Sequence, residues 1–237
     1  MKKLCAIFLI LILVANVIAC TNHKNDEEGF TVGYVISNFG DTFQNFIFQA
    51  MEAYAHENGV MIISADANES MITQINIVEN LIARGVDALI VVPVDTSAMK
   101  PITRMAQEAE IPLVYVNRNP FAGSENQMPE GVFYVGSQEI EAGIMQAEYI
   151  GPLLNGVGGI GILQGILSNE GAIMRTEGSR KTIQEQFPGI AILSIEPAEW
   201  QTDIALDVTE NWITTFGHQL NAILSNNDDM ALVQRPS

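Results

Sequence analysis

Six short apolar runs, each stopping at a polar or aromatic residue, punctuate this chain, and amphipathic helical stretches lie between most of them. The runs are Gly33–Ile36 before Asn38 and Asp41, Ala88–Val92 before Asp95, and Leu113–Val116 before Asn117 and Arg118. Three more are Gly161–Leu163 before Gln164, Ala191–Leu193 before Glu196 and Trp200, and Ala222–Leu224 before Asn226, Asn227 and Asp228. Runs this short and this uniformly apolar suit strands buried on both faces of a parallel sheet whose sides are covered by helices. In such sheets ligands bind beyond the carboxyl ends of the strands, where the polar residues of this chain collect.

The periodicity predicts strands near 32–36, 60–64, 87–92, 112–116 and 132–135, with helices near 42–58, 70–84 and 97–109. In the first helix Phe43, Phe46, Ile47, Ala50, Met51 and Tyr54 recur at helical spacing, an apolar face expected to pack on the sheet. Residues 117–131, with Pro120, Gly123, Pro129 and Gly131, read as a loop. A second series follows, with helices near 138–153, 170–187 and 202–216 and strands near 159–163, 190–195 and 221–225. Its last full helix carries Ile204, Ala205, Val208, Trp212, Ile213 and Phe216 as one stripe behind Thr202 as cap, which makes Trp212 a core residue. The organisation is therefore α/β in two lobes, 30–136 and 137–232, with an atypical tail at 233–237.

Residues 1–20 read as a secretory signal, because Lys2 and Lys3 precede an uncharged apolar stretch too short for a membrane span. Val17-Ile18-Ala19-Cys20 resembles the lipobox of bacterial lipoproteins, which implies lipidation at Cys20 and an anchor to a membrane. Polar residues 21–29, His23 among them, then form a flexible tether. Cys5 leaves with the signal, so the mature chain has no pair for an internal disulfide. A formal charge of −17, with the signal's two lysines still counted, repels nucleic acid and anionic lipid.

Few chemistries survive inspection. His56 and His218 have no Cys or carboxylate at ligand spacing, no serine sits at a nucleophile elbow, and no acid, base and nucleophile can be assembled, so neither a metal site nor an enzyme is expected. Gly156–Gly161 precedes a strand, whereas a phosphate loop follows one and opens a helix, so it reads as a turn. Asn68-Glu69-Ser70 reads as a helix cap rather than a glycosylation acceptor. What remains is a set of aromatic rings and planar polar groups at strand ends. Phe43 and Trp200 can stack on the apolar faces of a sugar ring while amide, carboxylate and guanidinium groups bond its hydroxyls. Each also has a plain structural role open to it: Asp41 and Gln44 as a capping box, Phe43 in its helix stripe, Arg175 on the surface of its helix.

The order and spacing of several segments resembles the periplasmic sugar-binding proteins of bacterial ABC transporters, in their galactose/glucose- and ribose-binding branch. The segments are Asp41-Thr42-Phe43, Gln74–Gly85 with Val86–Leu89, Val116–Pro120, Tyr134–Ser137 with Gly143, Arg175, Glu199-Trp200, and Asn226–Leu232. The resemblance spans 30–232 and implies two LacI-like α/β lobes closing over a monosaccharide by a hinge, with no cofactor. It implies ligand contacts from Asp41, Phe43, Asn68, Asn117 and Arg118 in the first lobe and Asn169, Arg175, Trp200 and Asn227 in the second. The two rings would sandwich the sugar and Arg175 would hold its ring or anomeric oxygen. It implies an ABC permease as partner, a chemoreceptor as a second one, and an extracytoplasmic location. Departures are Gly171 in place of a carboxylate, Asn169 in place of a histidine, and a stretch at 155–161 without the carboxylates of that branch's calcium loop. The family continues beyond the Asn-Asp-Asp-Met-Ala-Leu segment, so the second lobe is expected to be incomplete, and the chain to bind its sugar weakly or not at all and to be less stable than a complete relative. Two other readings fit the fold: a binding lipoprotein for a nucleoside or signalling molecule, and the effector domain of a LacI-type repressor. The second would begin with a helix-turn-helix, which the signal-like amino terminus replaces.

Overall fold

The computed structural model describes residues 29–124 and 128–232. The signal-like segment with Cys20, residues 21–28 of the tether and the tail at 233–237 lie outside the described residues.

The described residues from Thr31 to Leu232 belong to one compact unit. Its first part alternates strand and helix: β1 (Thr31–Ile36), α1 (Thr42–Glu57), β2 (Met61–Asp66), α2 (Met71–Ala83), β3 (Ala88–Val91), α3 (Lys100–Glu108), β4 (Leu113–Val116) and β5 (Val132–Val135). Its second part runs α4 (Glu139–Leu153), β6 (Val157–Gln164), α5 (Glu170–Gln186), β7 (Gly189–Pro197), α6 (Thr202–Phe216), β8 (Ala222–Ser225) and the short α7 (Asp228–Ala231). The strands form two wholly parallel sheets, one ordered β2-β1-β3-β4-β5 and the other β7-β6-β8. In each sheet the order reverses beside a central strand, between β1 and β3 in the first and around β6 in the second. The strand ends on either side of such a reversal diverge and leave a crevice.

The central strands are buried as their composition demands. Val32 to Ile36 of β1 and Gly159 to Leu163 of β6 are all buried. Beneath the first sheet Val35, Leu89, Val91, Leu113 and Tyr115 pack with Val78 and Leu81 of α2 and Ile102 and Ala106 of α3. In the second, Ile160 and Ile162 meet Ala147 of α4 and Ile183 of α5 on one side, and Leu163 meets Trp212, Ala205 and Met230 on the other. Trp212 is 2% exposed, and its indole N–H donates to Glu196 at 2.7 Å.

Two local expectations are corrected. The face of α1 that packs on the sheet is Gln44, Phe48, Met51 and Ala55, while Phe43, Phe46 and Tyr54 point outward and are more than half exposed. Asp41 caps the helix and fixes its rotation, placing Gln44 over Ser37, with whose hydroxyl it bonds at 2.8 Å. The cap of α6 is Gln201 rather than Thr202, whose hydroxyl donates to the Asp229 carbonyl at 2.7 Å, and Ile213 of the expected stripe is exposed.

Candidate functional site

Loops at the carboxyl ends of both sheets enclose a cavity of about 820 Å³. Asp41 reaches it as the cap of α1 and Phe43 and Phe46 from the first turns of that helix, Asn117 and Arg118 from the end of β4, and Glu139 and Gln146 from α4. Asn169 and Arg175 come from the start of α5, Trp200 from the β7–α6 turn, and Asn226 to Asp229 from the end of β8.

On the first-sheet side, polar groups form a connected chain. Asp41 Oδ1 accepts from the Gln44 backbone N–H and Oδ2 from its side-chain amide, both at 3.0 Å, so Asp41 caps the helix without the reciprocal bond of a capping box, its own N–H donating to Asn38 O at 3.2 Å. Arg118 is 5% exposed, donates to the Pro93 carbonyl at 2.8 Å and pairs with Glu69 at 3.5 Å. Gln74 fixes the loop that carries that carbonyl, donating to Val92 O and accepting from Val94 N–H. Asn117 sits at φ +66°, a left-handed conformation that Asn tolerates better than most residues. Its carbonyl accepts from the Tyr134 hydroxyl at 3.1 Å. Burial, reinforced by Glu170 and Glu139 and opposed by Arg175, pushes the Tyr134 phenol far above its ordinary value of 10.0, so it is a neutral donor.

On the second-sheet side, α4 and α5 cross so closely that a Cβ on Gly143 would lie 2.0 Å from the Arg175 carbonyl oxygen. The crossing brings Glu139 against Arg175. Glu139 is 2% exposed, accepts from Ser137 at 2.7 Å and forms a salt bridge with the Arg175 guanidinium, which also donates to the Asn226 carbonyl. A buried carboxylate of this kind holds the guanidinium at the cavity wall as well as neutralising it.

Glu199 and Trp200 both have positive φ, +54° and +67°, which non-glycine residues adopt at a cost of the order of 1 kcal/mol each. The strain turns the indole over Gly165, where a Cβ would sit 2.2 Å from the ring. Trp200 Nε1 donates to Asn169 Oδ1 at 2.9 Å, and Asn169 Nδ2 donates to Val94 O at 2.9 Å. A second bond between the same loops runs from the Thr96 hydroxyl to Ser168 O at 3.1 Å.

Eight of the nine sequence-expected positions thus line one cavity. Asn68 does not: it is exposed at φ +50°, and its backbone N–H donates to Asp66 within the β2–α2 turn. Asn169 lines the wall, but both ends of its amide are committed inside the chain. Asn227 caps α7, its Oδ1 accepting from Met230 N–H at 3.0 Å. Sequence reasoning missed Phe46, Glu139, Gln146 and Asn226. Hydropathy places Phe46 in the sheet-facing stripe, and its one-turn spacing from Phe43 is the available signal. Glu139 carried no signal, because its partner Arg175 is 36 residues away.

Four carboxylates, Asp41, Glu139, Asp228 and Asp229, share the wall with two guanidiniums that are each paired to a glutamate. Such a wall offers bidentate donors, carboxylate acceptors and four aromatic rings, of which Phe43, Phe46 and Tyr149 are exposed and Trp200 is half-buried, and is adverse to an anionic ligand. Among the described residues no group of His, Cys, Asp and Glu is arranged to hold a metal ion, and no helix is long and apolar enough to cross a membrane.

The chain is 36% identical over 234 residues to a Rhizobium meliloti protein named for rhizopine binding, covering 98% of this chain and 72% of that one. It is 34% identical to the xylitol-binding protein of Mycolicibacterium smegmatis, covering 78% of this chain and 51% of the relative. Among solved structures, an ABC transporter solute binding protein from Bacillus halodurans C-125 with bound myo-inositol superposes with a TM-score of 0.78 at 35% identity, over 88% of this chain and 70% of that one. A periplasmic binding protein domain matches residues 32–235, and the chain belongs to that family.

Proposed function

We propose that this protein captures one neutral cyclic polyol, a monosaccharide or an inositol, in the cavity between its two sheets and delivers it to the permease of an ABC transporter. The observation that carries the reading is the meeting of Phe43, Phe46 and Trp200 with Asp41, Asn117, Arg118 and Arg175 in one cavity of about 820 Å³. Ring faces suit the C–H faces of a cyclic polyol, and fixed donors and carboxylates suit its hydroxyls. The ligand is sandwiched between Phe43 and Trp200, with Arg175 on a ring or anomeric oxygen, as lobes 30–136 and 137–232 close on it. Relatives named for rhizopine, xylitol and ribose, and a structural neighbour holding myo-inositol, support the ligand class. The protein is extracytoplasmic, lipid-anchored through Cys20, with a chemoreceptor as a second partner.

Calorimetry with myo-inositol, D-ribose, D-allose and D-galactose tests the reading, with adenosine as the competing class. Binding of at least one polyol is expected. Binding of adenosine with no response to any of the four would assign the cavity to nucleosides instead.

A further inference from the structure

Arg175 commits only part of its guanidinium to the chain. Its Nε donates to Glu139 Oε2 and its Nη1 to the Asn226 carbonyl, which takes up two of its five N–H groups. The other three are on Nη1 and Nη2, and Arg175 has no atom among the buried, unpartnered side-chain atoms of the described residues. The Arg175 side chain is 22% exposed in the cavity wall, whereas that of Glu139 is 1% exposed. A solute therefore touches the guanidinium and not the carboxylate bonded to it. Arg118 is backed in the same way from the other sheet, by Glu69 at 3.5 Å and by the Pro93 carbonyl at 2.8 Å. A guanidinium without such a partner is the usual receptor for a carboxylate or a phosphate. With a buried carboxylate bonded to it, the pair carries no net charge and still donates hydrogen bonds.

We propose that Glu139 makes this cavity select uncharged ligands, by positioning Arg175 and cancelling its charge. The guanidinium then serves the hydroxyls of a polyol and gives no advantage to a carboxylate analogue of the same ring. Such an analogue meets a donor whose positive charge is already matched, in a wall that also holds Asp41, Asp228 and Asp229. The inference rests on the polyol reading above, and it adds to it a specificity-determining residue that acts through Arg175 without touching the ligand.

The test takes the tightest binder among myo-inositol, D-ribose, D-allose and D-galactose with its carboxylate counterpart, the uronate of a sugar or quinate for myo-inositol. Calorimetry at constant ionic strength gives both affinities for the native protein, Glu139→Gln and Glu139→Asp. Glu141→Gln is the control, since Glu141 is exposed on the same helix and outside the cavity lining. Glu139→Gln keeps the size and drops the charge, so the ratio of affinities should move toward the carboxylate by about 10- to 100-fold. Glu139→Asp keeps the charge and draws it back by one methylene, so the neutral polyol should weaken by about tenfold at a native ratio. Glu141→Gln should change neither. A folded Glu139→Gln with the native ratio, or an equal shift in Glu141→Gln, would overturn the assignment and leave the polyol reading standing. If no polyol binds the native protein, both fall. Melting curves identify a variant that fails to fold; should Glu139→Gln fail, native polyol affinity in Glu139→Asp would overturn the assignment instead.

Discussion

Replacing Gly165 by alanine should weaken ligand binding without touching the ligand. The added Cβ would stand 2.2, 2.3 and 2.4 Å from Cζ2, Cε2 and Cη2 of Trp200, where carbon atoms need about 3.5 Å or more. The indole must therefore retreat by on the order of 1 Å. Gly165 is not among the positive-φ glycines, so alanine adds no backbone strain of its own. It cannot move freely either, because its N–H is bonded to Asn226. The ring bears the displacement, against the pull of its bond to Asn169. Stacking of an aromatic face is worth about 0.5–1.5 kcal/mol, so misplacing it should weaken the polyol by about 2- to 12-fold. Calorimetry gives the affinity, and the change in tryptophan emission reports the ring when read in a Trp212→Phe background, since Trp200 packs against the cluster that holds Trp212. Native affinity together with unchanged emission would refute the placement of Trp200 against the ligand.

Trp200→Ala should cost about 1–3 kcal/mol of polyol affinity by calorimetry, and should leave it unchanged if the ring only packs. Gly143→Ala should destabilise the fold by about 1–3 kcal/mol in urea melts, because its methyl would strike the Arg175 carbonyl and force α4 from α5. Burial holds the phenols of Tyr34, Tyr115 and Tyr134 well above their ordinary value of 10.0, so the folded state keeps protons that the unfolded chain gives up. Stability from this source is whole below pH 10 and falls as pH rises above it, which alkaline melts beside an ultraviolet phenolate titration will register.

The strands and helices were legible because a strand buried on both faces admits only apolar residues, and that signal survives without any partner in view. Positions at strand ends were legible for the same reason, since polarity must begin where the sheet stops. The rotation of α1 was not. Its aromatics share a face at helical spacing, and hydropathy alone sends that face inward, but the Asp41 cap and the Ser37–Gln44 bond turn it outward. Glu139, Gln146 and Asn226 were illegible for a different cause: their roles lie in hydrogen bonds that span 36 to 79 residues of chain. Asn169 shows the limit from the other side, since its place in the cavity wall was foreseen and its commitment to Trp200 and Val94 was not.

That commitment has a kinetic consequence. Asn169 and the Thr96–Ser168 bond tie the loop after β3 to the loop after β6, so drawing the two sheets apart breaks both ties while the indole keeps its bond to Asn169. At about 0.5–1.5 kcal/mol each, the two ties favour the shut arrangement by roughly 1–3 kcal/mol before any ligand arrives. Under the proposed function, a solute would then enter through a minority population, which slows capture, and leave through the same one, which slows escape. Under that function Asn169 would be a catch that lengthens residence, and weakening it should speed exchange in both directions more than it changes the amount bound.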